Sequence, residues 1–181
     1  MTSLANPPGL APAEIPPTTA NKFHAGQVAT ITSTHFLHDL FSAFLAPTLP
    51  LLIEKLSLTY TQAGSLTTLL QFPSLLNPLI GYLDDKLNLR LLVIFAPAIT
   101  ATTMSCLGLA PNYPALVLLL LVTGLSVAAF HAPSPAMVVS FSGQKTGTGM
   151  SFYMAAGELG RTLGPLLAAW GVTLFTLEGT W

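Results

Sequence analysis

The sequence predicts an all-α membrane protein of about five transmembrane helices, and two observations carry that prediction. Of 181 residues, 51% are hydrophobic and only 7% are charged, against about 25% charged in an average soluble domain. The apolar residues gather into five runs, each long enough to cross a bilayer, which takes roughly 20 helical residues at ~1.5 Å rise. These runs lack the alternation of membrane strands, so helices are expected. The net charge is −1 and there is no basic patch, so no nucleic-acid partner is expected.

Residues 1–26 are rich in Pro, Thr and Ala, with only Glu14 and Lys22 charged. No apolar core follows a basic start, so the segment does not read as a cleaved signal peptide. A disordered tail is expected. The transmembrane domain then covers 27–181.

The first span, about 27–52, contains the run THFLHDLFSAFLAPTLP. On a helix His35, His38, Asp39 and Ser42 fall at i, i+3, i+4 and i+7, so they line one face. Ionisable groups are costly in lipid and normally face a bundle interior or a water-filled cavity. Three on one turn exceed what packing needs, although buried hydrogen bonds between helices are an alternative use. The remaining spans are expected at about 63–83, 91–110, 114–137 and 148–177. The fourth opens on an N1-type proline, Pro114, after Asn112 and carries His131; the fifth carries Glu158 and Arg161. Prolines inside these runs are tolerated where neighbours satisfy the freed carbonyls. Cys106 is the single cysteine, which excludes an intramolecular disulfide. No CxxC, HExxH, Gly-rich phosphate loop or GxSxG elbow occurs, so no enzyme, resident cofactor or metal is expected.

Orientation follows from the basic residues. Lys22, Lys86, Arg90 and Lys145 fall on one side of the spans and Lys55 alone on the other, so the N-terminus is expected to be cytoplasmic. Counting rise per residue, His35, Asp39, His131, Glu158 and Arg161 come to similar depth. If the helices bundle, one cavity collects them.

The loop Gly81-Tyr-Leu-Asp-Asp85-Lys86-Leu-Asn88-Leu-Arg90 resembles the G-x-x-x-D-(R/K)-x-G-x-(R/K) signature of the major facilitator superfamily, with Asn88 in place of the second Gly. Gly160-Arg-Thr-Leu-Gly164-Pro165 resembles the G-x-x-x-G-P core of that superfamily's fifth helix; small-xxx-small spacing brings membrane helices close. His35-x-x-His38-Asp39 followed by Leu49-Pro50 is similar to the H-x-x-N-D…L-P first helix of fosmidomycin-resistance-type efflux proteins. Phe130-His131-Ala-Pro133 looks like their Phe-His-Pro turn with one residue inserted. No arginine opens the fourth span, where many antiporters of the superfamily pair one with the loop aspartate.

The resemblance implies the N-terminal half of a major facilitator fold lacking its sixth helix, in the cell (inner or plasma) membrane. It also implies proton-coupled efflux of a small, antibiotic-like solute by alternating access. A missing C-terminal half, or a second copy of the chain, would supply the opposing bundle. In that frame Asp39 carries the proton, with His35 and His38 setting its affinity. Arg161, Glu158 and His131 meet an anionic substrate. An importer of a small organic acid remains an alternative, as does an intramembrane metal site built from His35, His38, Asp39 and His131. Glu158 and Arg161 also read as a purely structural i, i+3 pair.

Overall fold

In a computed structural model the described residues are 22–87 and 90–180, the side chains of Asp85 and Thr180 excepted. They are helical nearly throughout, with no strand among them.

The first rod comprises α1 (Ala25–Ser42) and α2 (Leu45–Leu56). The break between them has a local cause: Pro47 has no N–H and its ring crowds the carbonyl four residues back, at Ala43. The chain answers with a tighter bond there, Phe44 N–H donating to Phe41 O at 3.1 Å. Contrary to the expected end near 52, α2 continues to Leu56. It closes at Ser57 (φ 50°), where Leu58 N–H reaches back to Ile53 O at 3.0 Å.

The second rod starts at Tyr60, earlier than expected, because Thr59 and Gln62 form a reciprocal capping box. It consists of α3 (Tyr60–Gln71), a 3-10 stretch (Phe72–Leu76) and α4 (Asn77–Leu87). α5 (Arg90–Ser105) ends in a 3-10 turn, Cys106–Leu109. The Asn112 side chain caps α6 (Tyr113–His131), accepting from Ala115 N–H at 3.0 Å. Tyr113 is therefore the first helical residue and Pro114 the second, one place later than the spacing suggested. The rod bends at Ala132–Pro133 and continues as α7 (Ser134–Ser142), five residues beyond the expected end at 137. Gly143 (φ 51°) begins the reversal into α8 (Thr146–Phe175).

Three stretches among the described residues are long and apolar enough to cross a membrane: Ala25–Leu56, Arg90–Leu109 and Tyr113–Phe175. The last folds back at Gly143, since α7 packs along α8. The second rod is not among them. It runs continuously through its 3-10 stretch from 60 to 87, long enough to span, but it is less apolar, with Gln71, Asn77 and two aspartates in it.

The most extensive packing is α1 on α8, followed by α5 on α6. α1 and α8 touch backbone to backbone. A Cβ at Gly160 would collide with the carbonyl oxygen of Phe36, and one at Gly164 with that of Leu40. Between α5 and α6 the hydroxyls satisfy one another: Thr100 Oγ1 donates to Ser126 Oγ at 2.9 Å, and Ser126 Oγ to Ala96 O at 2.7 Å. Leu52, Leu66, Met104, Leu116 and Leu120 fill the main apolar core.

The bundle has two distinct ends. At one, His24 N–H donates to Phe141 O at 2.8 Å, and Asp84 and Arg90 share a small hollow with Ser140 and Phe141. At the other, Lys55 Nζ donates to Gly108 O at 2.5 Å and to Glu178 Oε1 at 2.7 Å. That hydrogen bond is the main reason the Glu178 carboxyl sits below its ordinary pKa. The clasp is therefore present at neutral pH and lost as pH falls through the lowered value.

Candidate functional site

Asp39 is the centre of the molecule's polar chemistry. Its side chain is 1% exposed and accepts from Arg161 Nε at 2.9 Å through Oδ2. His35 Nε2 lies 3.3 Å from the same oxygen, and His131 Nε2 lies 3.1 Å from Oδ1. Arg161 Nη1 also reaches Glu158 Oε1 at 3.2 Å. Residues from α1, α6 and α8 thus meet on one carboxylate. They meet because the glycine face of α8 lets it lie against α1: a Cβ at Gly157 would strike the His35 ring, while Gly160 and Gly164 seat Phe36 and Leu40.

Hydrogen-bond partners determine how the histidines are protonated. His35 Nδ1 lies 2.8 Å from the carbonyl oxygen of Tyr153, and His131 Nδ1 lies 3.0 Å from that of Val127. A carbonyl only accepts, so in each ring Nδ1 is the donor and Nε2 is the atom offered to Asp39. Tyr153 also stacks on His35, with ring centroids 3.9 Å apart, and its hydroxyl meets Ser134 Oγ at 2.5 Å. The His35 ring is held from both sides.

The structure brings together His35, Asp39, His131, Glu158 and Arg161, with His38 at their edge, its ring centroid 5.3 Å from that of His131. His38 is fully buried, stacks on Phe130 at 4.5 Å between centroids, and neither ring nitrogen has a hydrogen-bond partner among the described residues. Helical spacing puts His35 and His38 on one broad face but does not show that Phe130 packs on the His38 ring. His131 meets the carboxylate directly. Of the loop signature, Asp85's side chain and Asn88 lie outside the described residues. Lys86 donates to the Tyr82 hydroxyl at 2.5 Å, and Arg90 opens α5. A Cβ at Gly81 would meet nothing within 4 Å among the described residues.

A cavity of about 490 Å³ opens beside Asp39, lined among others by Ser42, His131 and Arg161 and by Gln71, Ser74 and Asn77 from the second rod. The last three were missed, because nothing in a linear reading of an apolar run marks where its helix breaks. His35, Asp39 and His131 also place one ligand atom each within 4.8 Å of the others, a set that suits a transition metal. The guanidinium on Asp39 Oδ2 opposes it, adding a fixed positive charge where a cation would sit.

Lipid-crossing helices gathered round a buried carboxylate and a polar cavity define a helical membrane protein with a solute-sized centre. The chain belongs to the Major Facilitator Superfamily, whose profile matches residues 31–181. It is 31% identical over 153 residues to the fosmidomycin resistance protein of Escherichia coli (strain K12), covering 84% of this chain and 38% of that protein. It is 31% identical over 139 residues to the uncharacterized MFS-type transporter YfnC of Bacillus subtilis (strain 168), covering 75% of this chain and 33% of that one. The chain thus spans well under half the length of either relative. No solved structure matches it.

Proposed function

We propose that this chain forms one helical bundle of a proton-coupled efflux transporter for a small anionic solute, working by alternating access. The opposing bundle is a C-terminal half or a second copy of the chain. The observation that carries the proposal is the convergence of His35, His131 and Arg161 on Asp39. With Nδ1–H tied to a carbonyl, a neutral imidazole turns a lone pair toward the carboxylate. The contact becomes attractive when a proton sits between them, on Nε2 or on the carboxyl oxygen. His131, 24% exposed beside the cavity, is the entry point for that proton, and buried His35 orients its acceptor. The name of the Escherichia coli relative supports export and an antibiotic-like solute.

Arg161 supports an anionic substrate. It is half exposed, lines the cavity and holds two carboxylates. A phosphonate or carboxylate takes the same planar fork. Arg161→Lys is expected to leave expression near normal, since a point charge still pairs with Glu158. Affinity for a simple alkylphosphonate should fall at least ~tenfold, the worth of one charge-assisted hydrogen bond. Unchanged affinity returns Arg161 to a structural role.

One observation favours the second reading, import of a small organic acid. Asp39 and an incoming anion compete for the same guanidinium. Protonating Asp39 releases Arg161, so proton and anion then bind the same state, which is the linkage of co-transport. Affinity for an alkylsulfonate, whose charge is fixed across this range, measured from pH 8 to pH 6 separates the two. A rise on acidification supports import with protons, and a fall supports export against them.

Lys55 alone at one end and Lys22, Lys86, Arg90 and Lys145 towards the opposite end support a cytoplasmic N-terminus. In a Cys106→Ala background, Lys145→Cys is expected to react with an impermeant thiol reagent only from the cytoplasmic side, and Lys55→Cys only from outside. The opposite labelling inverts the orientation.

A further inference from the structure

We infer that the break in the second rod is a recognition ledge: Gln71, Ser74 and Asn77 bind an uncharged hydrogen-bonding group, an amide or a hydroxyl, on a solute whose anionic end sits at Arg161. The inference rests on the anionic-solute reading above and adds the second half of the substrate.

The geometry starts with helix pitch. Residues three apart on an α-helix drift round its surface by about 60° each step, whereas a 3-10 stretch with three residues per turn stacks them in a row. Gln71 closes α3, Ser74 lies within the 3-10 stretch Phe72–Leu76, and Asn77 opens α4. All three line the cavity that also holds Asp39, His131 and Arg161. An uninterrupted α-helix would have fanned them apart.

The break is built into the sequence and braced by a neighbour. Pro73 is buried at the start of the 3-10 stretch and supplies no N–H, while the Pro78 ring crowds the carbonyl of Ser74. α6 presses on the same place: a Cβ at Gly124 would strike the carbonyl oxygen of Leu70 and the ring of Pro73. In a membrane protein, irregular backbone is tolerated where it lines a cavity or is buried in protein.

The chemistry of the row selects the ligand group. Two carboxamides and a hydroxyl both donate and accept, and none carries charge. Asn77 Oδ1 is buried without a hydrogen-bond partner among the described residues, so its accepting capacity is unspent in this conformation. The charged cavity residues come from α1, α6 and α8, and the second rod's contribution is neutral, the three polar side chains beside Leu70. A solute with one anionic end and one amide or hydroxyl satisfies both, and a cavity of about 490 Å³ holds a molecule of that size.

The test compares two probes of equal chain length, acetamidopropylphosphonate and hexylphosphonate, by calorimetric titration of the purified protein in nanodiscs. The expected result is binding of the amide at least ~tenfold tighter than the alkyl chain, a preference lost in Asn77→Leu and reduced in Ser74→Ala. Arg161→Lys should weaken both probes. Ser74→Ala removes a single oxygen and keeps the test valid if Asn77→Leu does not fold. Equal affinity for the two probes, or an amide preference that survives both ledge variants, overturns the ledge while leaving the anionic site standing. Binding of neither probe at millimolar concentration overturns both.

Discussion

Asp39→Asn is expected to reduce pH-gradient-driven transport by the assembled transporter to the empty-liposome baseline, while exchange of substrate for substrate continues. The substitution preserves shape and removes only the ability to ionise. Arg161 keeps Glu158 at 3.2 Å, so its guanidinium is not stranded and the bundle should fold. What disappears is the ionisable carboxylate on which His35 and His131 converge at 3.3 and 3.1 Å. Without it no proton can be traded between imidazole and carboxylate, and Arg161 is open to the anion at every pH. Binding of an alkylsulfonate to this variant should therefore lose the part of its pH dependence that Asp39 supplies. A merely structural aspartate predicts something else, a lower melting temperature with the pH response intact. Gradient-driven transport at the wild-type rate in Asp39→Asn would remove Asp39 as the proton carrier.

The largest effect on stability is expected from Gly164→Leu. A Cβ at Gly164 already collides with the Leu40 carbonyl oxygen and meets Ala43 Cβ at 3.0 Å. The obstacle is backbone, which cannot rotate aside as a flexible side chain would. Overpacking of ordinary cores costs about 1–3 kcal/mol. Here α1 and α8 would have to separate, so the loss should exceed that range and abolish monodisperse protein. Gly147→Ala on the same helix is the control, because a Cβ there meets nothing within 4 Å. It should be neutral or stabilising by up to ~1 kcal/mol through helix propensity. Thermal melts of the two variants in detergent check the pair, and similar melting would show that α1 and α8 do not depend on this contact. Because Gly157, Gly160 and Gly164 also seat the helix that carries His35 and Asp39, a tolerated Gly164 variant should lose anion binding along with packing.

By itself the sequence determined that the chain is helical and built to cross a membrane, because few charges and long apolar runs admit little else. It also marked the candidate side chains. His35, His38, Asp39, His131, Glu158 and Arg161 stand out against lipid-like surroundings, and the glycine spacing of the fifth span marks a close helix contact. Local signals were legible as well: Asn112 caps α6, as the Asn before a helix start suggests. Only the tertiary structure decided which of these groups meet. Periodicity assigns a residue to a face of its own helix, whereas pairing across helices depends on how each helix is rotated and how deep it sits. Those settings come from α1 and α8 touching through glycine, and they put His131 on Asp39 and pack Phe130 and His131 against the His38 ring. The ledge was hidden for a related reason. Pro73 and Pro78 warn of an irregular helix, but whether a proline kinks, tightens or merely sits in a membrane helix depends on what presses against it. Here that is the bare backbone of Gly124, far off in sequence, and it turns Gln71, Ser74 and Asn77 into one row beside the cavity.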